Sequence, residues 1–336
     1  MKKKILVTGG AGYIGSVATY MLLKEDYEVV VIDNLTTGYQ QPLAFFEKKY
    51  SKKQFRYYKA DIKKSLESVF KKEKNIDAVL HYAASCSVNE SVENPPKYFS
   101  NNVCGSQNIL AAMLKFAVKK IVFSSTSEVY GESKYYPVDE KHSMNPNNPY
   151  GLSKRIVEQM IESYGDLMGM RYVIFRYQNV CGASDDGVIG DSKNPSVHLV
   201  QNAVRGALGI EPFYLTCPTV NTKDKSPIRD YVNIVDLNRA HIMALKYLDS
   251  KGKSTILNLG TGTGNSVLEI VDMVKEITGV GFPVKRGNAR KGEPAVKYAD
   301  IKKAKKVLGW KPERTMRDSV ESLVAWYKKH PGGWQK

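Results

Sequence analysis

The sequence predicts an α/β protein: a doubly wound parallel sheet followed by a smaller, more irregular C-terminal α/β domain. Three observations point there. Apolar, β-branched runs alternate with helical patterns through the first half, which is the rhythm of strand–helix–strand units and a parallel sheet. Those runs are apolar at every position, as in Val29-Val30-Val31-Ile32, so the sheet they form is buried on both faces. From about residue 180 the texture changes, with Gly, Asp, Asn and Pro crowding residues 182–195.

The expected strands are Lys4–Val7, Glu28–Ile32, Phe55–Lys59, Ala78–Ala83, Lys120–Ser124 and Tyr172–Tyr177. Between the first two, Ile14, Val17, Ala18, Met21 and Leu22 recur at i, i+3, i+4, i+7 and i+8, one buried stripe of a helix. A loop-like stretch fills 217–228, then a strand at Thr255–Leu259 and a helix from Ser266 to Thr278. The division expected is a first domain over 1–178, with a segment near 230–260 returning to it, and a second over 179–336.

The chain has 336 residues, enough for about two domains. Its composition, 42% hydrophobic and 25% charged, excludes global disorder. No apolar run is long enough for a membrane span, so no membrane partner is expected. Met1-Lys2-Lys3-Lys4 leads straight into a strand pattern with no signal-like apolar stretch, so a cytoplasmic location is expected. Cys86, Cys104, Cys181 and Cys217 are scattered, and His81, His142, His198, His241 and His330 show no ligand spacing, so no metal site is expected. The net charge of +16 is unusual, and residues 285–336 hold 15 Lys or Arg against 5 Asp or Glu. Such a surplus attracts nucleotide anions or nucleic acid, or is simply a solvated face.

Gly9-Gly10-Ala11-Gly12-Tyr13-Ile14-Gly15 follows the first strand and opens the first helix. Gly9, Gly12 and Gly15 permit a tight turn and close backbone approach, so a pyrophosphate can sit on the free N–H groups of the helix N-terminus. Asp33 ends the second strand, 18 residues beyond Gly15. A carboxylate there accepts both ribose hydroxyls and repels a 2′-phosphate, which selects NAD over NADP. Asp61, before Ile62, is placed either to accept from an adenine amine or to cap a helix.

Tyr150 and Lys154 are four residues apart at the head of a helical stripe that runs through Val157 and Ile161. That spacing sets both on one helix face. A phenol is a poor base at neutral pH, and a neighbouring ammonium together with a cationic cofactor favours the phenolate. The strand Lys120–Ser124 ends in Ser125-Thr126-Ser127, a hydroxyl cluster at the sheet edge where ligands bind in such folds.

With these motifs the chain resembles the extended short-chain dehydrogenase/reductases, which are Rossmann-like, and within them the UDP-glucose 4-epimerases. The similarity extends over nearly the whole chain. It includes VTGGAGYIGS at 7–16, NESVENP at 89–95, PYGLSK at 149–154, RYQNVCGA at 176–183, IRDYV at 228–232 and RKGEPA at 290–295. The resemblance implies an enzyme that interconverts UDP-glucose and UDP-galactose, with their N-acetylated pair as further candidate substrates, through a transient oxidation at C4 by tightly held NAD. It implies Tyr150 as the base, Lys154 as the group that lowers its pKa and holds the nicotinamide ribose, and Thr126 as a hydroxyl bonded to the hexose. NAD would be lined by Gly9, Gly12, Tyr13, Ile14 and Gly15, then by Asp33, Asn34, Leu35, Thr36, Thr37 and Gly38. Asp61, Ile62, Tyr82, Ala83, Ala84, Ser85, Cys86, Asn101 and Gln178 would complete that lining, with Thr126, Tyr150 and Lys154. Asn179, His198, Leu199, Arg229, Arg290 and Glu293 would hold the UDP-hexose, with the arginines as forked donors to a diphosphate. A homodimer through helices near 97–116 and 150–165 is also implied, and no nucleic acid is required.

Four positions depart from the resemblance. Cys86 replaces a Lys, Gln178 replaces a Phe beside the sugar, Lys297 stands at a position that gates N-acetylated sugars, and Glu128 replaces a small residue or Thr. Glu128 also fits UDP-glucuronate decarboxylases or nucleotide-sugar 4,6-dehydratases. A third reading, a non-catalytic dinucleotide-binding regulator, has no use for Thr126, Tyr150 and Lys154.

Overall fold

The computed structural model describes residues 2–193, 196, 198–281, 283–287 and 295–334. The first half runs β1 (Lys4–Thr8), α1 (Tyr13–Lys24), β2 (Glu28–Asp33), α2 (Gln40–Lys49), β3 (Phe55–Lys59), α3 (Glu67–Glu73) and β4 (Ala78–His81). It continues through α4 (Val88–Glu93), α5 (Pro95–Tyr98), α6 (Gly105–Lys115), β5 (Lys120–Ser124), α7 (Pro149–Met168) and β6 (Arg171–Arg176). Beyond it come β7 (Asn179–Cys181), α8 (Leu199–Ala207), β8 (Leu215–Pro218), β9 (Ile228–Arg229), β10 (Tyr231–Asn233), α9 (Ile234–Asp249) and β11 (Thr255–Asn258). The chain ends with β12 (Asn265–Ser266), α10 (Val267–Thr278), β13 (Val284–Gly287), β14 (Val296–Lys297), α11 (Lys302–Leu308) and α12 (Met316–Lys329).

Seven strands form one parallel sheet in the order β11-β6-β5-β4-β1-β2-β3. Alternate residues of each strand enter opposite cores. Ile5, Val7, Val29 and Val31 pack under α1 and α9, whereas Leu6, Val30, Ile32 and Val79 pack under α6 and α7. This two-sided burial is what the unbroken apolar runs demand. The order reverses between β1 and β4, and the carboxyl ends of those two strands open onto a crevice. The expected loop over 217–228 is bounded by two short strands, because β8 pairs with β13 and β9 pairs with β12 and β14.

Residues beyond 180 build a separate core in which Val200, Val204, Ile270, Val274, Leu323 and Trp326 join α8, α10 and α12. Yet α9 packs against α1 and β11 joins β6 at the edge of the main sheet. Among the described residues no helix is long and apolar enough to cross a membrane.

Candidate functional site

A cleft of about 1100 Å³ opens at the carboxyl ends of β1 and β4 and extends toward β9 and β14. That exceeds the range of roughly 300–1,000 Å³ usual for one small-ligand pocket. Its first wall is the turn between β1 and α1. A Cβ on Gly9 would meet Ala83 N at 2.7 Å, and one on Gly15 would meet the Gly9 carbonyl oxygen at 2.2 Å. A Cβ on Gly12 would meet only that same oxygen, at 3.3 Å, so its other side faces the open cleft. Gly12 caps α1 with no side-chain bond and no acid lies in the first turn, so the N-terminal amides and the positive dipole end stay available to an anion. Asp33 stands beside this turn, where its carboxylate accepts from Ala11 N at 3.0 Å and Leu35 N at 2.8 Å. Burial raises its pKa above the usual aspartate value, against the pull of those two amides.

The second wall descends from β4. Tyr82, Ala83, Ala84, Ser85 and Cys86 line it, with Asn101 beside them. Asn102, one residue on, is buried and fixes this exit: it accepts from Ser85 N at 2.8 Å and donates to Ser85 O at 3.0 Å and to Ser153 Oγ at 2.9 Å. The third wall is the head of α7, started by Asn148, whose side chain accepts from Gly151 N, and by Pro149. One turn in, Tyr150 and Lys154 both face the cleft, opposite Thr126.

Lys154 is 4% exposed and donates to Ser124 O at 2.8 Å, above the Phe123 ring at 4.7 Å. Burial lowers its pKa to about 8, which leaves it an ammonium at neutral pH. The Tyr150 phenol is driven well above its ordinary pKa, first by burial and then by Cys86, Tyr177 and Glu128, while a hydrogen bond with Thr126 opposes. That direction opposes the phenolate a base would need, and a cation bound beside the phenol would favour it.

Ser125, next to Thr126, is anchored by a buried ion pair that no sequence motif marks. Glu158 accepts from Ser125 Oγ at 2.5 Å and from Arg176 at 2.9 and 2.6 Å, and both ionised side chains are almost fully buried. Arg176 Nη1 also donates to Tyr130 Oη at 3.1 Å. A charged residue at the end of an apolar strand was the available signal.

Asn34, Thr36, Thr37, Ile62 and Gln178 also line the cleft, as do Asn179, His198 and Arg229. Leu35, Gly38, Asp61 and Leu199 lie outside the lining. Asp61 accepts from Lys63 N at 2.9 Å within a turn and caps no helix, since α3 begins at Glu67 with Leu66 as its N-cap. A Cβ on Gly38 would press Ala11 at 2.8 Å, so this glycine keeps the loop close to the turn. Arg290 and Glu293 fall outside the described residues. His81 is 2% exposed, hydrogen-bonded to Thr8 and Ser106, and structural.

Glu128 enters the sugar end of the cleft with both oxygens engaged. Lys297 Nζ donates to Oε1 at 2.8 Å and Asn148 Nδ2 to Oε2 at 2.9 Å. Burial favours the neutral acid, but Lys297 and Asn148 outweigh it and hold the carboxyl below the usual glutamate range. Among the described residues no group of three or more His, Cys, Asp or Glu gathers to hold a metal.

Residues 5–260 match the model of the NAD dependent epimerase/dehydratase family. The chain is 41% identical to a UDP-glucose 4-epimerase of Lactobacillus helveticus over 99% of both chains. It superposes on the UDP-glucose 4-epimerase of Brucella ovis in complex with NAD with a TM-score of 0.91, at 36% identity, covering 98% of this chain and 99% of that one. For the enzyme of Bifidobacterium longum in complex with NAD⁺ and UDP the TM-score is 0.90 at 34% identity, with 98% and 100% covered. Likeness in sequence and in fold runs the length of the molecule, and the chain therefore belongs to the NAD dependent epimerase/dehydratase family, among the UDP-glucose 4-epimerases.

Proposed function

We propose that this protein is an NAD-dependent epimerase that interconverts UDP-glucose and UDP-galactose at C4. The observation that carries the reading is the placement of Tyr150 and Lys154 on one helix face, opposite Thr126, at the crevice where the strand order reverses. Residues 1–178, with the returning segment near 230–260, would hold NAD; residues 179–336 would hold the UDP-hexose.

The residues fit NAD: the Gly9–Gly15 turn for its pyrophosphate, Asp33 for its adenosine ribose, and Lys154 for its nicotinamide ribose. When bound, NAD supplies a two-electron acceptor that takes the C4 hydride and returns it to either face of the sugar. Tyr150 Oη accepts the proton of the C4 hydroxyl as that hydride departs and gives it back when the carbonyl is reduced. Thr126 aligns the same hydroxyl. The Lys154 ammonium keeps positive charge beside the phenol. Arg229, on β9, would pair with the diphosphate, and Asn179 and His198 would hold the nucleoside, so that UDP is held while the hexose turns over.

Support for the decarboxylase or dehydratase alternative weakens at Glu128, since both of its oxygens are already committed to Lys297 and Asn148. A homodimer in the cytoplasm is part of the proposal; Val92 on α4 and Leu152 on α7 are apolar and exposed. A monomer mass in light scattering would exclude the dimer.

The decisive experiment offers the purified protein UDP-glucose, UDP-N-acetylglucosamine and UDP-glucuronate without added NAD. Conversion of UDP-glucose to its C4 epimer is expected. Loss of CO₂ from UDP-glucuronate, or of water from UDP-glucose, would overturn the reading.

A further inference from the structure

Residues 190–193, after β7, line the cleft and are fastened on both sides. Tyr39 Oη, from the loop after β2, donates to Ser192 O at 2.5 Å. From the opposite side Trp326 Nε1, on α12, donates to Asp191 O at 3.0 Å. The segment runs against the Trp326 ring so closely that a Cβ on Gly190 would stand 2.5 Å from it. Lys193 N donates to Asp191 Oδ1 at 3.1 Å, which fixes where the next side chain leaves.

That side chain reaches across to the wall below β4, where Lys193 Nζ stands 3.6 Å from Cys86 Sγ. A thiol is a weak acceptor for an ammonium. The same segment carries buried polar atoms without partners among the described residues, Asp191 Oδ2 and Ser192 Oγ. Gly190, Asp191, Ser192 and Lys193 all line the cleft. The strap therefore presents the Lys193 cation toward the space between the loop after β2 and the exit from β4. That space flanks the glycine turn on both sides.

We propose that Lys193 is a cofactor-binding residue, pairing with a phosphate oxygen of the dinucleotide so that the strap Gly190–Lys193 holds NAD in the cleft. The inference rests on the NAD reading given above. It explains how a segment outside the sheet domain retains a cofactor that need not leave during turnover. A charge-assisted hydrogen bond of this kind is worth enough to slow release about tenfold or more.

The test follows NAD, independently of turnover. Holoenzyme is prepared from wild type, Lys193→Met and Lys193→Arg, and release is timed by trapping free NAD with an excess of an NAD-consuming dehydrogenase. Lys193→Met should release NAD about tenfold faster, Lys193→Arg should stay close to wild type, and affinity for UDP should change less than about twofold in both. In wild type, rising ionic strength should speed release, and this dependence should flatten in Lys193→Met. Unchanged release from Lys193→Met would overturn the proposal, as would weakened UDP binding with NAD retention intact. Wild-type protein that binds NAD but fails to epimerise would sink the function while leaving this assay of Lys193 in force.

Discussion

The two sides of the cleft are made in different ways. The cofactor side is assembled from short stretches close in sequence to the strands that carry them: Gly9–Gly15 after β1, Asp33 at the end of β2, Tyr82–Cys86 after β4. Each is held by backbone contacts that leave no room for a Cβ or by one buried amide such as Asn102. The sugar side is assembled from pieces far apart in the chain. Glu128 meets Lys297 across 169 residues, and Asn179 donates to Asp230 O across 51. The difference teaches that a ligand common to many proteins can be met by a local motif, while a ligand that sets this enzyme apart is met by tertiary contacts.

Acid should attack the cofactor side with the largest effect. His81 on β4 and His241 on α9 are fully buried, which lowers their pKa values to about 3 and about 4. Below pH 6.5 the unfolded chain takes up protons that the folded chain refuses, so stability present above 6.5 is lost as pH falls. Each histidine contributes about 1.4 kcal/mol per pH unit, or about 4 kcal/mol for both at pH 5. Urea unfolding at pH 7 and pH 5 measures this, and equal stability at the two values would contradict it. A smaller, sharper break is Gly15→Ala. Its Cβ lands 2.2 Å from the Gly9 carbonyl oxygen, and overpacking against backbone costs about 1–3 kcal/mol. NAD binding should weaken while UDP affinity holds; a matching fall in UDP affinity would show that the two sides are not independent. The smallest effect is expected from Lys297→Met, which removes one partner of an ion pair whose side chains are 13% and 27% exposed. A loss of about 1 kcal/mol, roughly fivefold in kcat/KM for UDP-glucose, should appear with NAD retention unchanged. Faster NAD release in this variant would erase the distinction between the sides.

Much of the cofactor side was legible in the sequence because its cues are local. Glycine spacing, an acid at a strand end and a phenol one helical turn from an ammonium each constrain geometry within a few residues. Strand ends moved by only one or two positions, as at β4, which stops at His81 where the pattern ran to Ala83. Asp61 shows the limit of a local cue: an acid after a strand suggests a ligand contact or a helix start, and here its carboxylate closes a turn on Lys63 N, ahead of α3 and its N-cap Leu66. Lys193, Glu158 and Arg176 gave little signal, because what they do depends on a partner brought close by folding.

The positive charge divides in the same way. Arg229 enters the cleft, whereas Lys302, Lys303 and Lys306 lie exposed on α11, away from it. By itself the sequence determined the sheet, the glycine turn and the Tyr150/Lys154 spacing, since apolar periodicity and helical repeat act along the chain. Only the tertiary structure decided that Glu128 is tied to Lys297, that burial raises the pKa of Tyr150, and that Lys193 faces Cys86. Ion pairing and desolvation are set by distance and burial in space, and neither is written in the order of residues.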